Sequence, residues 1–483
     1  MASLKTNVIF NYINTITGLI IPVITFPYAS RILLPEGIGT VNFLSSIVSY
    51  IVLFTSLGIP LYAVKEIARC RDDVELRNKT TIEITVLSIL LCLIGYIIVI
   101  LLGTLIPRIN SNLGLFYVLS LSILFTSIGV QWFYQGIEDF KFITIRALII
   151  RVLAAVSLFL FVKDKNDLLI YGAITVGSTV GNNFINFFHL RKYIPFSSFT
   201  KYRLDIKRHI KPALHIFVLN LIISIYVNLN TIMLGFMDGD YAVGLYTAAN
   251  KLPHIILSLV TSMGVVLLPR CSNLIASNRM EEFSQVCDKA FKLVLMIALP
   301  ATFGLILLST PIIKIFCGND FTGAVPVLYW TSPVILFIGL TNVIGIQILY
   351  PLGKENIVIY STIGGAVVNL MLNIVLIPQY SAVGAGISTF AAELAVLIVQ
   401  IYIGRKYIPV KITKKSNLTY LISSLIMTTS VLVMIQFLDN IWLKILVGAS
   451  LGGAVYFISL LMFRDSLTLN IIKQIKIKIH GKI

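Results

Sequence analysis

Charged residues are scarce in this sequence. They make up 12% of the 483 positions, while apolar residues reach 57%. Soluble domains usually contain roughly 25% charged residues, because their surface faces water. The apolar residues occur here in runs of about 20, which is the length that crosses a hydrocarbon core of about 30 Å. The sequence therefore predicts an all-α integral membrane protein.

Signatures of catalytic, cofactor and metal chemistry are also lacking. The five cysteines are odd in number and show no C-x-x-C spacing, so neither disulfides nor a metal site are expected. There is no H-E-x-x-H motif and no Walker A loop, which argues against ATP hydrolysis by this chain alone. The D-x-D pattern Asp238-Gly239-Asp240 is shared with metal-dependent glycosyltransferases, but it lies in a short turn. We predict a protein that has no cofactor and is not an enzyme.

No connector is long enough to fold as a soluble domain. The longest, at about 190–212, has roughly two dozen residues and is basic. The first apolar run follows a single Lys5 and lacks an A-x-A cleavage site, so we expect a retained helix rather than a removed signal peptide. Function must therefore reside among the membrane helices.

The apolar runs and the basic residues together predict the topology. Fourteen spans are expected near residues 8–30, 40–62, 82–104, 114–137, 145–162, 168–189, 213–237, 242–268, 292–316, 325–350, 357–377, 383–403, 418–438 and 443–463. With a cytoplasmic N-terminus, about thirty of the 38 Lys and Arg residues fall on the cytoplasmic side. The positive-inside rule then places both termini in the cytoplasm. The net charge of +17 is explained by basic residues that orient the chain in the membrane and attract anionic lipid. No nucleic-acid partner is expected.

The two halves of the chain contain a weak internal repeat. The turn at 35–40, between spans one and two, resembles the turn at 240–245, between spans seven and eight. Aligning Gly39 with Gly244 also aligns the starts of spans one and seven. We predict two six-helix lobes around a central cavity, followed by an extra helix pair and a basic tail. The predicted units are residues 1–212, 213–404 and 405–483.

A few ionisable side chains lie inside predicted spans. Lys251 is about ten residues into span eight, hence about 15 Å deep at about 1.5 Å per residue, and Glu393 is similarly deep in span twelve. A charge at this depth costs about 2.5–3.5 kcal/mol on insertion scales. Both are therefore expected to face a hydrated cavity or to pair with each other. For Arg31 and Arg151, which lie nearer to span ends, reaching toward the head groups is the alternative to a cavity role.

Polar side chains follow one helical face in four of the spans. The faces are Asn7, Asn11, Asn14 and Gly18 in span one; Asn42, Ser46 and Ser49 in span two; Asn220, Ser224, Asn228 and Thr231 in span seven; and Lys251, His254 and Ser258 in span eight. Such faces are costly in lipid, so water or sugar hydroxyls in a cavity would satisfy them. Helix packing through small polar side chains is the alternative. Spans three and eleven are more apolar by comparison.

Several stretches of the sequence resemble a known family. They are PYASRILLPEGIG at 27–39, LGIPLY and KEIA within 57–68, QWFYQGIE at 131–138, MLG at 233–235 and VGLYTAA at 243–249. Together they resemble the Wzx-type oligosaccharide flippases, which are the polysaccharide-biosynthesis branch of the multidrug/oligosaccharidyl-lipid/polysaccharide superfamily. The similarity extends over nearly the whole chain. Asn230 departs from it, because relatives often have an acidic residue there, which weakens any cation site assumed at that position.

The resemblance implies an alternating-access flippase in the bacterial cytoplasmic membrane, with spans one, two, seven and eight lining the cavity. Its cargo would be an undecaprenyl-diphosphate-linked oligosaccharide repeat unit for cell-surface polysaccharide. On this basis Lys251 and Arg31 are predicted to bind the diphosphate, and Glu393 and His254 are candidates for H⁺ or Na⁺ coupling. The predicted sugar-binding residues are Asn11, Asn14, Asn228, Ser46 and Ser258. The expected partners are the lipid-linked glycan and the bilayer, with a polysaccharide polymerase and export proteins as further candidates.

Three other functions are alternatives. A drug/cation antiporter of the same superfamily is expected to have an acidic, aromatic pocket, whereas the deep charge in the expected cavity is Lys251. A lipid II flippase is the second alternative. A polymerase or membrane glycosyltransferase would carry a large outer loop, and this sequence has no long outer connector.

Overall fold

The computed structural model describes residues 4–195, 202–410, 415–470 and 472–473, and within these ranges every regular element is a helix. Side chains are not described for residues 4–16, 19, 218–220, 222–227, 263, 265, 266 and 415. Among the described residues, nine helices are long and apolar enough to cross a membrane, or up to eleven if each of two bent helix pairs is one span. The predicted all-α, multi-pass membrane fold is confirmed. The count of fourteen spans stays a prediction.

The described chain divides into two compact units, Met1–Gly244 and Leu245–Ile483. The helices that begin in the first unit are α1 Leu4–Ser56, α2 Ile59–Cys70, α3 Val74–Leu105, α4 Pro107–Asn110, α5 Leu113–Ile128, α6 Gln131–Gly136, α7 Phe140–Phe161, α8 Leu168–Val180, α9 Asn182–Leu190, α10 Lys207–Met237 and α11 Asp240–Ala276, of which α11 continues into the second unit.

The second unit also contains a 3₁₀ helix and a π-helical segment. Its helices are α12 Met280–Leu307, α13 Ser309–Phe316, the 3₁₀ helix Asn319–Ala324, α14 Val325–Thr331, α15 Val334–Asn342, the π-helical segment Val343–Leu349, α16 Glu355–Gly404, α17 Lys415–Ile435 and α18 Ile441–Met462. The lobe boundaries at 212/213 and 404/405 were predicted from the sequence repeat. The two compact units are defined by packing in the structure, so they do not test these boundaries. They stay predictions.

Two helices are too long for a single crossing. The 53 residues of α1 and the 50 residues of α16 would each extend about 75–80 Å. Each contains one residue outside the helical region, Leu34 with φ 60° in α1 and Ser381 with φ 55° in α16. Leu34 precedes Pro35, whose ring disfavours helical geometry at the preceding residue. The breaks fall where the sequence predicts the connectors between spans one and two and between spans eleven and twelve.

A cluster of aromatic side chains forms part of the core of the first unit. Trp132, Phe133 and Tyr134 of α6 are all buried, and the Tyr134 hydroxyl donates to the Asn186 carbonyl at 2.9 Å. Ile67 of α2 packs against α6 at Gly136, where any larger side chain would collide with it. The QWFYQGIE stretch that carries part of the family resemblance therefore has a packing role.

Candidate functional site

The polar face predicted on α11 is present in the second unit. Lys251 and Ser258 are half-buried and His254 is exposed. The spacing of three and four residues places them on one side of the helix. The Ser258 hydroxyl donates to the carbonyl of Ile255 at 2.6 Å, so its oxygen still has lone pairs available to accept from a ligand.

Glu393 lies on the half of α16 that follows Ser381 and is only 6% exposed. Gln400, two turns later on the same face, is also buried, and its Nε2 donates to Ser361 Oγ at 3.1 Å. Ser361 belongs to the other half of α16, so this bond joins the two halves. The predicted coupling carboxylate is therefore buried, two helical turns from this polar contact.

The half of α16 that precedes Ser381 contains a buried polar face, although span eleven is one of the more apolar spans in the sequence. Ser361, Gly365, Asn369 and Asn373 repeat every four residues along α16, and all are buried. The Asn373 side-chain amide donates to Asn369 Oδ1 at 3.1 Å. The four-residue spacing of these residues can be read in the sequence. The mean hydropathy of the span is nevertheless high, because isoleucine and valine occupy the other faces of the helix.

The predicted site residues of the first unit have mixed environments. Arg31 is exposed and its Nη1 donates to the Pro27 carbonyl at 3.4 Å. Ser46 is 8% exposed, and Asn228 is half-buried in α10. Asn11 and Asn14 lie on α1, but their side chains are outside the described part of the structure.

A small crevice lies in the first unit and is lined by both hydroxyl-bearing and apolar side chains. It has a volume of about 310 Å³ among α1, α5 and α8. Six of its lining residues carry hydroxyl groups, namely Ser45, Ser49, Ser122, Thr126, Thr175 and Thr179. The face of span two that borders this crevice therefore contains the predicted Ser49 and also Ser45, while the predicted Asn42 and Ser46 do not line it.

Arg151, for which the sequence leaves a cavity role and a position near the head groups as alternatives, contacts α1 in the structure. It is half-buried on α7, and its Nη1 donates to Thr17 Oγ1 on α1 at 3.1 Å. The guanidinium also lies beside Gly18, where the absence of a side chain leaves room for it. Gly18 belongs to the polar face predicted for span one, so Arg151 adds a cation to that face. Only the folded chain shows this contact, because Thr17 and Arg151 are 134 positions apart.

The two stretches that the repeat aligned were predicted as turns, but in the structure they are the first helical residues after Leu34 in α1 and from Asp240 in α11; they are in direct contact, which is called the turn contact below. A side chain at Gly39 would collide with the Asp240 carbonyl, and one at Gly244 would collide with the Pro35 carbonyl. Such close backbone approach requires glycine at both positions. The reciprocal contact supports the alignment that the sequence suggested.

Asp240 is bound on both carboxylate oxygens. Its Oδ2 accepts from Thr40 Oγ1 at 2.8 Å, and its Oδ1 pairs with Arg108 Nη2 at 2.6 Å. Arg108 also lies over the Phe43 ring at 4.9 Å. Among the described residues no group of three or more His, Cys, Asp or Glu side chains could hold a metal ion. The D-x-D stretch is thus part of a turn-to-turn contact.

The predicted site residues are divided between the two units. Arg31, Ser46 and Asn228 belong to the first, while Lys251, His254, Ser258 and Glu393 belong to the second. A single cavity shared by all of them stays a prediction.

Residues 4–275 match the family model described as "Polysaccharide biosynthesis protein". The chain belongs to this family. Residues 216–375 also match the MatE model. A relative named "Putative O-antigen transporter" in Escherichia coli (strain K12) is 26% identical over 393 residues, which cover 81% of this chain and 94% of that protein.

Solved structures with the same fold come from two groups of transporters. The lipid II flippase MurJ in an inward closed conformation superposes with a TM-score of 0.75 at 18% identity, covering 95% of this chain and 99% of that one. An inward-facing multidrug resistance MATE family transporter superposes with a TM-score of 0.66 at 15% identity, covering 82% of this chain and 94% of that one. At these identities the likeness establishes the fold of this polysaccharide biosynthesis family member.

Proposed function

We propose that this chain is a flippase. It carries an oligosaccharide linked to polyprenyl diphosphate across the bacterial cytoplasmic membrane. On the outer side, the oligosaccharide is then built into cell-surface polysaccharide. The family match and the relative named as an O-antigen transporter support this assignment. In this role the chain transports its cargo and does not alter it chemically.

The observation that carries the proposal is the placement of Arg151. It is a half-buried cation inside a membrane-spanning helix, held against the polar face of α1 at Thr17. A diphosphate cannot cross hydrocarbon unaided, because an isolated ion is far more costly there than an unpaired polar group, which itself costs roughly 2–7 kcal/mol. Fixed cations at Arg151, Lys251 and Arg31 would replace the lost water, while the lipid tail remains in the bilayer.

Sugar recognition is assigned to the uncharged polar faces. Asn11, Asn14 and Asn228 supply amides, and Ser46 and Ser258 supply hydroxyls. These groups both donate and accept hydrogen bonds, as sugar hydroxyls do.

Alternating access would require the turn contact to open and close. With both termini in the cytoplasm, the turns at 35–40 and 240–244 are on the outer side. The ion pair of Arg108 with Asp240 would then close the outer end and separate when the head group is released. Uptake of H⁺ or Na⁺ at Glu393 or His254 would drive the cycle. Burial of Glu393 supports its candidacy, because a buried carboxylate gains from binding a cation.

The proposal also names partners. The released glycan would pass to a polysaccharide polymerase and export proteins on the outer side. Two other cargoes are tested alongside it: cationic drugs, because residues 216–375 match the MatE model, and lipid II, because the fold is shared with MurJ.

The test is flipping by purified protein in liposomes. A fluorescent polyprenyl-diphosphate oligosaccharide, lipid II and a cationic dye are supplied in separate reactions. The lipid-linked oligosaccharide is expected to be transported fastest. Faster transport of lipid II or of the cationic dye would contradict the proposed function and identify that molecule as the preferred cargo.

Charge-removal variants test the site in the same assay. Arg151→Gln and Lys251→Gln are each expected to slow flipping by about ten- to a hundredfold, since a hydrogen bond to a charged group contributes roughly 1.5–3 kcal/mol. Lys165→Gln, in the exposed connector after α7, is the matched control and should keep the full rate. Full activity in both cavity variants would contradict the assignment of the cations.

A further inference from the structure

A basic cavity opens in the second unit, apart from the predicted cargo site. It has a volume of about 820 Å³ and lies between the end of α11, the start of α12 and the chain that follows α18. Its lining contains four basic side chains, Arg270, Lys289, Lys292 and Lys473. It therefore concentrates positive charge in a concave site.

Little negative charge balances these four cations. Asp288 is the one acidic side chain among the described residues of the lining. Its Oδ2 pairs with Lys292 Nζ at 3.0 Å, one helical turn away. Arg270, Lys289 and Lys473 therefore remain as excess positive charge.

The third wall of the cavity is held in place by a buried hydrogen-bond network. Asp465 is 6% exposed and accepts from the Tyr420 hydroxyl at 2.9 Å. Its other oxygen accepts from both the backbone N–H and the hydroxyl of Thr468 at 2.8 Å. These bonds attach the chain after α18 to α17, so that Ser466, Leu467 and Asn470 face the cavity. The wall is thus built into the fold.

The span ends predicted from the sequence place the cavity at the level of the lipid phosphates. Arg270 is two residues beyond the predicted end of span eight at residue 268, and Lys292 is at the predicted start of span nine. The apolar side chains of Leu267, Val286 and Leu293 also line it. Cations beside apolar groups at the end of a span match a phosphate head group and the upper part of its acyl chains. Excess Lys and Arg in the cytoplasmic loops places this end on the cytoplasmic side, where anionic lipids attract basic groups.

We propose that this cavity is a binding site for the phosphodiester head group of an anionic phospholipid. Arg270, Lys289 and Lys473 surround the phosphate, and the apolar residues contact the first methylene groups of the chains. The site is separate from cargo transport, so it does not depend on the proposed function.

The experiment measures the thermal stability of the purified full-length protein in detergent during titration with lipid. Dioleoyl phosphatidylglycerol is compared with dioleoyl phosphatidylcholine and with inorganic phosphate. Phosphatidylglycerol is expected to raise the Tm saturably, and the other two should do so weakly. An equal effect of phosphatidylcholine would overturn the proposal. The proposal would also be overturned if inorganic phosphate raised the Tm as much as phosphatidylglycerol does, because the ligand would then be a free anion.

A triple variant locates the effect. Arg270→Gln/Lys289→Gln/Lys473→Gln should raise the half-saturating concentration of phosphatidylglycerol by about a hundredfold, since each basic group near an anionic surface contributes about 1 kcal/mol. The matched control, Lys65→Gln/Lys141→Gln/Lys192→Gln, removes three exposed lysines from the first unit and should keep the wild-type concentration. Equal titration curves for the triple variant and wild type would overturn the proposal even if the protein binds lipid elsewhere.

Discussion

The carboxylate of Glu83, which is fully buried, lies 3.0 Å from Nε2 of His209. The same carboxylate pairs with Arg208 and accepts from the backbone N–H of Asp205 at 2.8 Å. Nδ1 of His209 is in turn 2.8 Å from the Tyr62 hydroxyl. This network attaches the start of α10 to α2 and α3. Glu83 is thus a buried charged residue at the start of span three, which is otherwise highly apolar.

Glu83→Gln is expected to destabilise the protein by about 1.5–3 kcal/mol, because the partly exposed Arg208 and the buried His209 lose a charged hydrogen-bond partner. The measurement is the Tm and the denaturant midpoint of the purified protein in detergent. Glu66→Gln is the control, since Glu66 pairs with the largely exposed Arg69 and should cost less than about 1 kcal/mol. Equal losses in the two variants would show that burial of Glu83 has no energetic importance.

Gly39→Ala is expected to lower stability by roughly 1–3 kcal/mol, because the added methyl group forces the turn at 35–40 away from the Asp240 backbone. Thermal unfolding in detergent measures the change. Gly177→Ala on α8 is the control, since nothing lies within 4 Å of the added carbon. It should be neutral, or stabilising by about 0.5–1 kcal/mol. A Gly39→Ala protein as stable as Gly177→Ala would contradict the close contact of the two turns.

Arg108→Gln is expected to loosen the turn contact by removing the ion pair with Asp240. The readout is labelling of Val243→Cys, a buried position beside the pair, with a membrane-impermeant maleimide in intact cells. The five native cysteines are buried and should give little background. Labelling should rise about fivefold or more, as expected for the loss of a coupling of about 1 kcal/mol.

The charge swap Arg108→Asp/Asp240→Arg should bring the labelling rate back toward that of the Val243→Cys parent, because the pair is re-formed in reverse. Lys163→Gln, on another exposed connector, should leave the rate unchanged. If Arg108→Gln and the parent are labelled at the same rate, the ion pair does not hold the turns closed.

Glu393→Gln is expected to reduce gradient-driven flipping at least tenfold while leaving exchange of cargo without a gradient within about twofold. Glutamine keeps the shape of the buried side chain but cannot bind a proton or pair as an anion with Na⁺. Liposome transport with imposed H⁺ or Na⁺ gradients provides the measurement. Glu355→Gln, at the exposed start of the same helix, is the control. Unchanged gradient-driven flipping by Glu393→Gln would remove this residue from the coupling mechanism.

Much of the candidate site could be placed on its helices from the sequence. Lys251, His254 and Ser258 share the predicted face of α11, because helical periodicity alone fixes that relationship. The burial of Glu393 and the contact between Arg151 and Thr17 could not be predicted in this way. Both depend on which helix lies opposite, and hydropathy carries no information about that neighbour.

From the sequence alone it follows that the chain is an all-helical membrane protein and where its long apolar helices run, and the sequence also predicts that Gly39 and Gly244 correspond. These properties depend on local hydrophobicity, on span length and on recurring turn residues. The tertiary structure alone decided that Asp205, Arg208 and His209 converge on Glu83, and that the chain after α18 completes a basic cavity with α11 and α12. Such contacts join residues far apart in the chain, and their energies depend on burial and on distances between side chains that exist only once the helices have packed.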